Sequence, residues 1–129
     1  MYSTILVVDD SATSRMIIKK CFQMAGLEES SFLEAEDGLK AAAMLQDQKV
    51  DLILTDLKMP GINGLTLASV ARSLHPTIGV ILMTAYGSRE VEAEAEQLMI
   101  DGYLTKPFQM ERLRDLVEKI LQAQQHPAS

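Results

Sequence analysis

Val50 to Gly64 reads VDLILTDLKMPGING, and the fold turns on how that stretch is parsed. Leu52-Ile53-Leu54 is a short apolar run that ends abruptly at Thr55-Asp56. Pro60, Gly61, Asn63 and Gly64 then make a turn, since Pro presets φ and Gly and Asn accept backbone angles closed to other residues. A run that is apolar at every position suits a strand covered on both faces, as in a parallel sheet. A carboxylate at the end of such a strand stands where open parallel sheets put their chemistry. Asp56 is therefore the candidate nucleophile, an acceptor of a phosphoryl group.

Toward the N-terminus, Ile5 to Val8 is a similar run and ends at Asp9-Asp10. Ser11 can cap a helix whose expected buried face carries Ile17, Cys21, Met24 and Ile18, Phe22, Ala25, with Gly26 as its stop. Ser31 to Ala35 is a weaker strand. Asp37-Gly38 turns into a second helix with Leu39, Ala42, Ala43 and Leu45 as its apolar positions. Beyond the opening stretch, Gly64 to Leu74 is helical with Leu67, Ala71 and Leu74 in register, and His75-Pro76 ends it. Gly79 to Met83 is another apolar strand, stopping at Thr84.

Gly87-Ser88 caps the next element. Val91 to Glu96 reads VEAEAE, an alternation that mimics a strand. Ala and Glu favour helix and disfavour strand, and Leu98 and Met99 continue the helical phase, so helix is expected. Gly102 to Thr105 is a last strand before Lys106-Pro107. Gln109 to about Gln124 is an amphipathic helix with Met110, Leu113, Leu116, Val117, Ile120 and Leu121 inside.

Strand and helix thus alternate, which predicts an α/β three-layer domain with a parallel sheet and right-handed crossovers. Asp9, Asp10, Asp56, Thr84 and Lys106 all fall at C-terminal strand ends, which share one edge of such a sheet.

A chain of 129 residues suits one domain, expected over residues 1–124, with a short polar tail at 125–129. Lys plus Arg number 12 against 18 Asp plus Glu, a net charge of −6. That argues against direct contact with nucleic acid or an anionic membrane. The single cysteine, Cys21, excludes an internal disulfide and a multi-cysteine zinc site; it is expected buried and inert. No apolar run reaches the ~18–20 residues that span a bilayer. MYSTILVVDD has neither the basic region nor the cleavage site of a signal peptide, so a reducing cytoplasm is the expected location.

Asp9, Asp10 and Asp56 on one edge repel each other unless a cation lies between them. An all-oxygen set with room for water and phosphate oxygens favours Mg²⁺, with Mn²⁺ as the alternative. Asp10 and Asp56 are expected as direct ligands, Asp9 through water, and the Lys58 backbone carbonyl as a third protein ligand. Aspartyl phosphate formation needs in-line geometry and charge neutralisation more than it needs a base. Lys106 can cover one phosphoryl oxygen as a point charge, Thr84 another by hydrogen bond, and the small Ala85 leaves the approach open. A cis Lys106–Pro107 bond would aim the lysine inward; a trans Pro107 starting the last helix is the alternative. By position alone, Tyr103 is a half-buried strand residue with its hydroxyl in water.

VVDD at 7–10, LTDLKMPGINGL around Asp56, MTA at 83–85 and KPF at 106–108 together resemble the response-regulator receiver domain of two-component signalling. The likeness covers nearly the whole chain and is similar to the single-domain chemotaxis regulators. It implies a flavodoxin-like, doubly wound five-stranded sheet in the order 2-1-3-4-5 with five helices. It further implies that Asp56 takes phosphate from the phosphohistidine of a sensor histidine kinase or phosphotransfer protein, with Mg²⁺ at Asp9, Asp10 and Asp56. Thr84 and Tyr103 would form the switch. The implied protein is a binding module whose only catalysis is its own phosphorylation and dephosphorylation. The pair Lys58 and Tyr86, variable in the family, leaves the phosphate lifetime open.

The reporting face for an output protein is expected at Val91–Met99, Tyr103 and Gln109–Gln124. Its acids Glu90, Glu92, Glu94 and Glu96 make either a solvated face or a patch for a basic partner. A stand-alone regulator is the expected context; a receiver cut from a longer regulator with a DNA-binding or enzymatic output domain is the alternative. An Asp-nucleophile phosphohydrolase would need a second acid where Lys58 stands. A flavodoxin-type cofactor site would need glycine in Asp9-Asp10-Ser11-Ala12. A kinase or phosphotransfer role would rest on His75 or His126, which lie in a loop and in the tail.

Overall fold

The computed structural model describes residues 4–85, 89–106 and 109–125. Along the chain run β1 Thr4–Val8, α1 Ala12–Phe22, β2 Ser31–Ala35, α2 Gly38–Asp47, β3 Leu52–Asp56, α3 Gly64–Leu74, β4 Gly79–Thr84, α4 Arg89–Gln97, β5 Gly102–Thr105 and α5 Met110–Gln125. The strands pair in the order β2-β1-β3-β4-β5, every neighbour parallel. This is the doubly wound, flavodoxin-like arrangement.

Parallel strands need both faces covered, and each strand divides its side chains between two cores. Ile5, Val7, Leu52 and Leu54 pack with Ile18 and Phe22 of α1 and Leu113 and Val117 of α5. Leu6, Val8 and Ile53 point the other way, onto Ala41 and Leu45 of α2 and Leu67 and Ala71 of α3. A third cluster, built on Leu57, Leu65, Leu82 and Ala95, takes in Val91, Leu98, Ile100 and Tyr103 and seats α4.

Ser11 caps α1 as expected, and the turn residues Asp37 and Asn63 cap α2 and α3. Ser11, Asp37 and Asn63 accept the N–H of Ser14, Lys40 and Thr66, each worth about 1 kcal/mol. Gly26, at φ 101, supplies the left-handed residue in the wider-wound segment Gln23–Leu27 that ends α1. His75 Nε2 lies 2.7 Å from the Leu45 carbonyl oxygen; since a carbonyl only accepts, that nitrogen donates and ties α3 to α2.

Four helices differ from expectation in the residues they bury. In α1 the stripe that reaches the sheet is Ile18 and Phe22, whereas Ile17 and Met24 are exposed and Cys21 is only partly buried. In α2 the buried positions are Gly38, Ala41 and Leu45, while Leu39 and Ala43 face water. Small residues let that helix approach the loop at Ile62, which closes against Gly38. In α4 the helix stops at Gln97, and Met99 is exposed with φ 55, a left-handed exit that breaks the phase. Leu74, at the end of α3, is likewise exposed. Tyr86, the Gly87-Ser88 cap, Pro107 with its peptide bond, and His126 lie outside the described residues, as does the side chain of Leu121.

The loop after β3 closes through Gly64, whose N–H donates to the Leu57 carbonyl at 2.8 Å. A Cβ at Gly64 would collide with the Asp56 carbonyl oxygen and meet Leu82 Cδ1 at 2.9 Å and the Leu57 Cα at 3.0 Å. Two of these three neighbours are backbone and cannot rotate away. Gly64→Ala should therefore destabilise by about 2 kcal/mol, although Ala is the better helix former. Urea unfolding measures this; a variant as stable as the parent would contradict the packing at this loop.

Candidate functional site

The C-terminal edge of the sheet collects the expected polar residues. Asp9 follows β1, and its N–H donates to the Ala35 carbonyl at 3.1 Å, which extends the β1–β2 ladder by one step. Asp56 closes β3 opposite Met83 of β4. Thr84 closes β4, is 2% exposed, and accepts the Lys106 N–H on its carbonyl at 2.7 Å. Lys106 thus leaves β5 beside β4 and reaches back across the edge. Its Nζ lies 3.0 Å from Asp9 Oδ2 and 3.1 Å from Asp56 Oδ2.

Asp9 is almost completely buried, at 1% exposure, and both its oxygens are occupied. Oδ1 accepts the Ser11 N–H at 2.9 Å, and Oδ2 accepts from Ser14 Oγ at 2.8 Å as well as from Lys106. Asp10, next in sequence, is exposed. One carboxylate oxygen from each of Asp9, Asp10 and Asp56 lies within 4.8 Å of the others, so the set could hold a metal ion. Lys58 is exposed on the bend after Asp56, and Ala85 is exposed beside Thr84.

Tyr103 departs from the position-only expectation. Its ring joins the cluster under α4. Its hydroxyl oxygen is out of water and finds no hydrogen-bond partner among the described residues. Burial pushes its pKa up, with the Glu92 charge adding to the shift.

Two groups escaped sequence reasoning. Ser14 bonds Asp9, and Arg15 donates through Nη1 to the Asp9 carbonyl at 2.6 Å. The available signal was their place in the first turn of α1, where side chains lean back toward the preceding strand end.

The charges explain one another. Burial alone would raise the Asp9 pKa, but the Ser11 N–H, the Ser14 hydroxyl and the Lys106 ammonium together hold it below the ordinary carboxylate value. Burial alone would lower the Lys106 pKa, but Asp9 and Asp56 hold it above the ordinary value. Asp9 therefore contributes stability that is present above its unfolded pKa of about 3.9 and lost as pH falls through the lower folded value. Metal-free protein should lose urea resistance from about pH 5 downward. Asp9→Asn should flatten that acid limb, and an equally steep limb in the variant would remove Asp9 as its source.

Residues 5–118 match the response regulator receiver domain model. The chain belongs to that family. It is 32% identical over 121 residues to sporulation initiation phosphotransferase F of Bacillus subtilis, covering 94% of this chain and 95% of that one. It is 36% identical over 120 residues to the chemotaxis protein CheY of Pseudomonas aeruginosa, covering 92% and 95%. The receiver match extends to the transcriptional regulator NtrC of Salmonella typhimurium, 35% identical, covering 94% of this chain and 26% of that much longer protein. Among solved structures, the receiver domain of AraT, a response regulator from Geobacillus stearothermophilus, superimposes with a TM-score of 0.86 at 32% identity, covering all of both chains.

The chain is thus a receiver domain of two-component response regulators, a family that works with histidine kinases or phosphotransfer proteins and with output partners. Receiver domains typically catalyse nothing beyond their own phosphorylation. Among the described residues no helix is long and apolar enough to cross a membrane.

Proposed function

We propose that this receiver accepts a phosphoryl group on Asp56 from a kinase or phosphotransfer phosphohistidine, in a Mg²⁺-dependent reaction. The observation that carries this reading is the Lys106 ammonium joining Asp9 and Asp56 beside Asp10. An Asp56 carboxylate oxygen bonds to phosphorus as the phosphorus–nitrogen bond of the donor breaks, and the imidazole leaves with that electron pair. Lys106 neutralises charge on one non-bridging oxygen, and the Thr84 hydroxyl hydrogen-bonds another. The small Ala85 keeps the approach open. Pro107, the next residue in the sequence after Lys106, is proposed as part of the phosphate neighbourhood.

The donor set fits a hard cation, since Asp9, Asp10 and Asp56 offer only oxygen. Asp10 and Asp56, with the Lys58 backbone carbonyl, would hold Mg²⁺ (or Mn²⁺) directly. Asp9, its oxygens already engaged, would act through water. The bound cation supplies positive charge for the phosphoryl oxygens.

Thr84 and Tyr103 are proposed as the switch. The Tyr103 hydroxyl, dry and without a hydrogen-bond partner among the described residues, supports this, because an unmade hydrogen bond lowers the cost of leaving that position. The output partner would bind the face of Val91–Met99, Tyr103 and Gln109–Gln124. A cavity of about 310 Å³ lies there, lined in part by Glu92, Ala95, Glu96, Ile100 and Leu116. We take residues 1–124 as the receiver and 125–129 as a tail, and read the protein as a cytoplasmic regulator that is no enzyme toward other substrates.

Incubation with acetyl phosphate and Mg²⁺ tests the reaction. The expected product carries its phosphoryl group on Asp56, and chelation of the metal should stop its formation. Phosphate on another residue, or labelling indifferent to chelation, would overturn the proposal.

A further inference from the structure

We propose that Arg15 is a positioning residue for the acidic pair: it holds the peptide between Asp9 and Asp10, and Glu34 holds Arg15. This rests on the reading of Asp9, Asp10 and Asp56 as a Mg²⁺ site. Arg15 lies in α1 with its side chain 15% exposed. Nη1 donates to the Asp9 carbonyl at 2.6 Å, and Nε donates to Glu34 Oε1 at 3.0 Å. A guanidinium is planar and rigid, so two bonds from its two sides fix the plane of the whole group. Glu34 is itself braced by Lys19, whose Nζ lies 3.2 Å from Oε2. Arg15 is the main cause that holds the Glu34 carboxyl below its ordinary pKa, so the pair is charged at neutral pH.

The placement gives this contact a specific consequence. Glu34 sits on β2, in register with Val7 of β1. The Asp9 N–H is bound to Ala35 of the same strand. Both ends of the Asp9 backbone are therefore referred to β2, one directly and one through Arg15 and Glu34. The Asp9 carboxylate is fixed separately, by Ser11, Ser14 and Lys106. Asp10 is exposed, with no core packing to orient it. What sets its direction is the peptide before it, whose carbonyl Arg15 grips. A ligand oriented in advance loses less freedom when it binds.

Charge and orientation predict opposite signs, which makes the proposal testable. Removing the Arg15 cation should by charge alone strengthen Mg²⁺ binding. Removing an orienting group should weaken it, by about tenfold for a group of this kind. The experiment is calorimetric titration of the full chain with MgCl₂, using Arg15→Gln, Glu34→Gln, the double variant and Arg15→Lys. Arg15→Gln should bind about tenfold more weakly than the parent. The double variant keeps the parental net charge, yet should be as weak as Arg15→Gln, because Glu34 acts through Arg15. Arg15→Lys, able to reach one partner but not hold both, should fall between.

Parental or tighter binding in Arg15→Gln would overturn the proposal, as would parental affinity in the double variant. If Arg15→Gln proves unfolded by its urea profile, the double variant and Arg15→Lys decide. A parent that binds no Mg²⁺ would instead overturn the metal reading, and this proposal with it.

Discussion

Asp56→Asn should abolish labelling by acetyl phosphate while the protein stays folded. A carboxylate offers a charged oxygen to phosphorus, whereas an amide oxygen at neutral pH is a poor nucleophile. Losing the nucleophile leaves only binding and charge neutralisation, so the rate should fall by on the order of 10³-fold or more. The fold does not depend on the charge. The Asn amide oxygen can still accept from Lys106, which stands 3.1 Å from Asp56 Oδ2 and keeps Asp9 as its second partner. One negative charge is also removed from an edge that crowds three carboxylates. Metal-free Asp56→Asn should therefore be at least as stable as the parent, by up to about 1 kcal/mol. Retained urea resistance with lost labelling assigns the nucleophile. Labelling at the parental rate would remove Asp56 from that role, and a loss of both would leave unfolding as the cause.

The strand ends were legible because two physical signals coincide there. Leu52-Ile53-Leu54 is apolar on both faces, so it must be a covered strand, and Asp56 marks where cover stops. The same holds for Val7-Val8 before Asp9 and for Leu82-Met83 before Thr84. The strand order came from the family likeness rather than from the runs themselves, since apolar strands carry no label for their neighbours. Helix faces were less legible. Periodicity in α1 permits the Ile17 stripe and the Ile18 stripe equally, and the sheet selects the second. In α2 the rule that large apolar residues go inside misleads, because Ile62 closes against Gly38, which turns Gly38 inward and leaves Leu39 out.

Polar networks were the least legible part of the site. Lys106 announces itself by following a strand, whereas Ser14 and Arg15 sit in a helical turn that would be equally content in water. Only the three-dimensional placement of the Asp9 carbonyl and of Glu34 gives Arg15 its two partners. Tyr103 shows the same gap from the other side. Its position on β5 correctly marked a half-buried ring, but the dryness of its hydroxyl depends on α4 packing over it.

Lys106→Met separates the two services that the lysine performs. In metal-free protein its ammonium is the counter-charge of Asp9, which is 1% exposed, and of Asp56. Removing one partner of a buried ion pair costs about 3–5 kcal/mol. The lysine side chain is itself 27% exposed, and Asp9 keeps Ser11 and Ser14, so a loss of about 2 kcal/mol is expected here. The variant's acidic edge would then be relieved by protonation. Its stability should fall less steeply than the parent's as pH drops below about 5, the reverse of what simple damage to packing would give. Added MgCl₂ should restore more stability to the variant than to the parent, because a cation that binds only the folded state stabilises it in proportion to its affinity and no ammonium now competes for the carboxylates. Labelling by acetyl phosphate should nevertheless stay about 10²-fold low under saturating Mg²⁺, since no charge remains to clamp the second phosphoryl oxygen. Restored stability with full labelling would make Lys106 a structural counter-ion only. A stability deficit that MgCl₂ leaves untouched would mean that the lysine and the cation do not share these carboxylates.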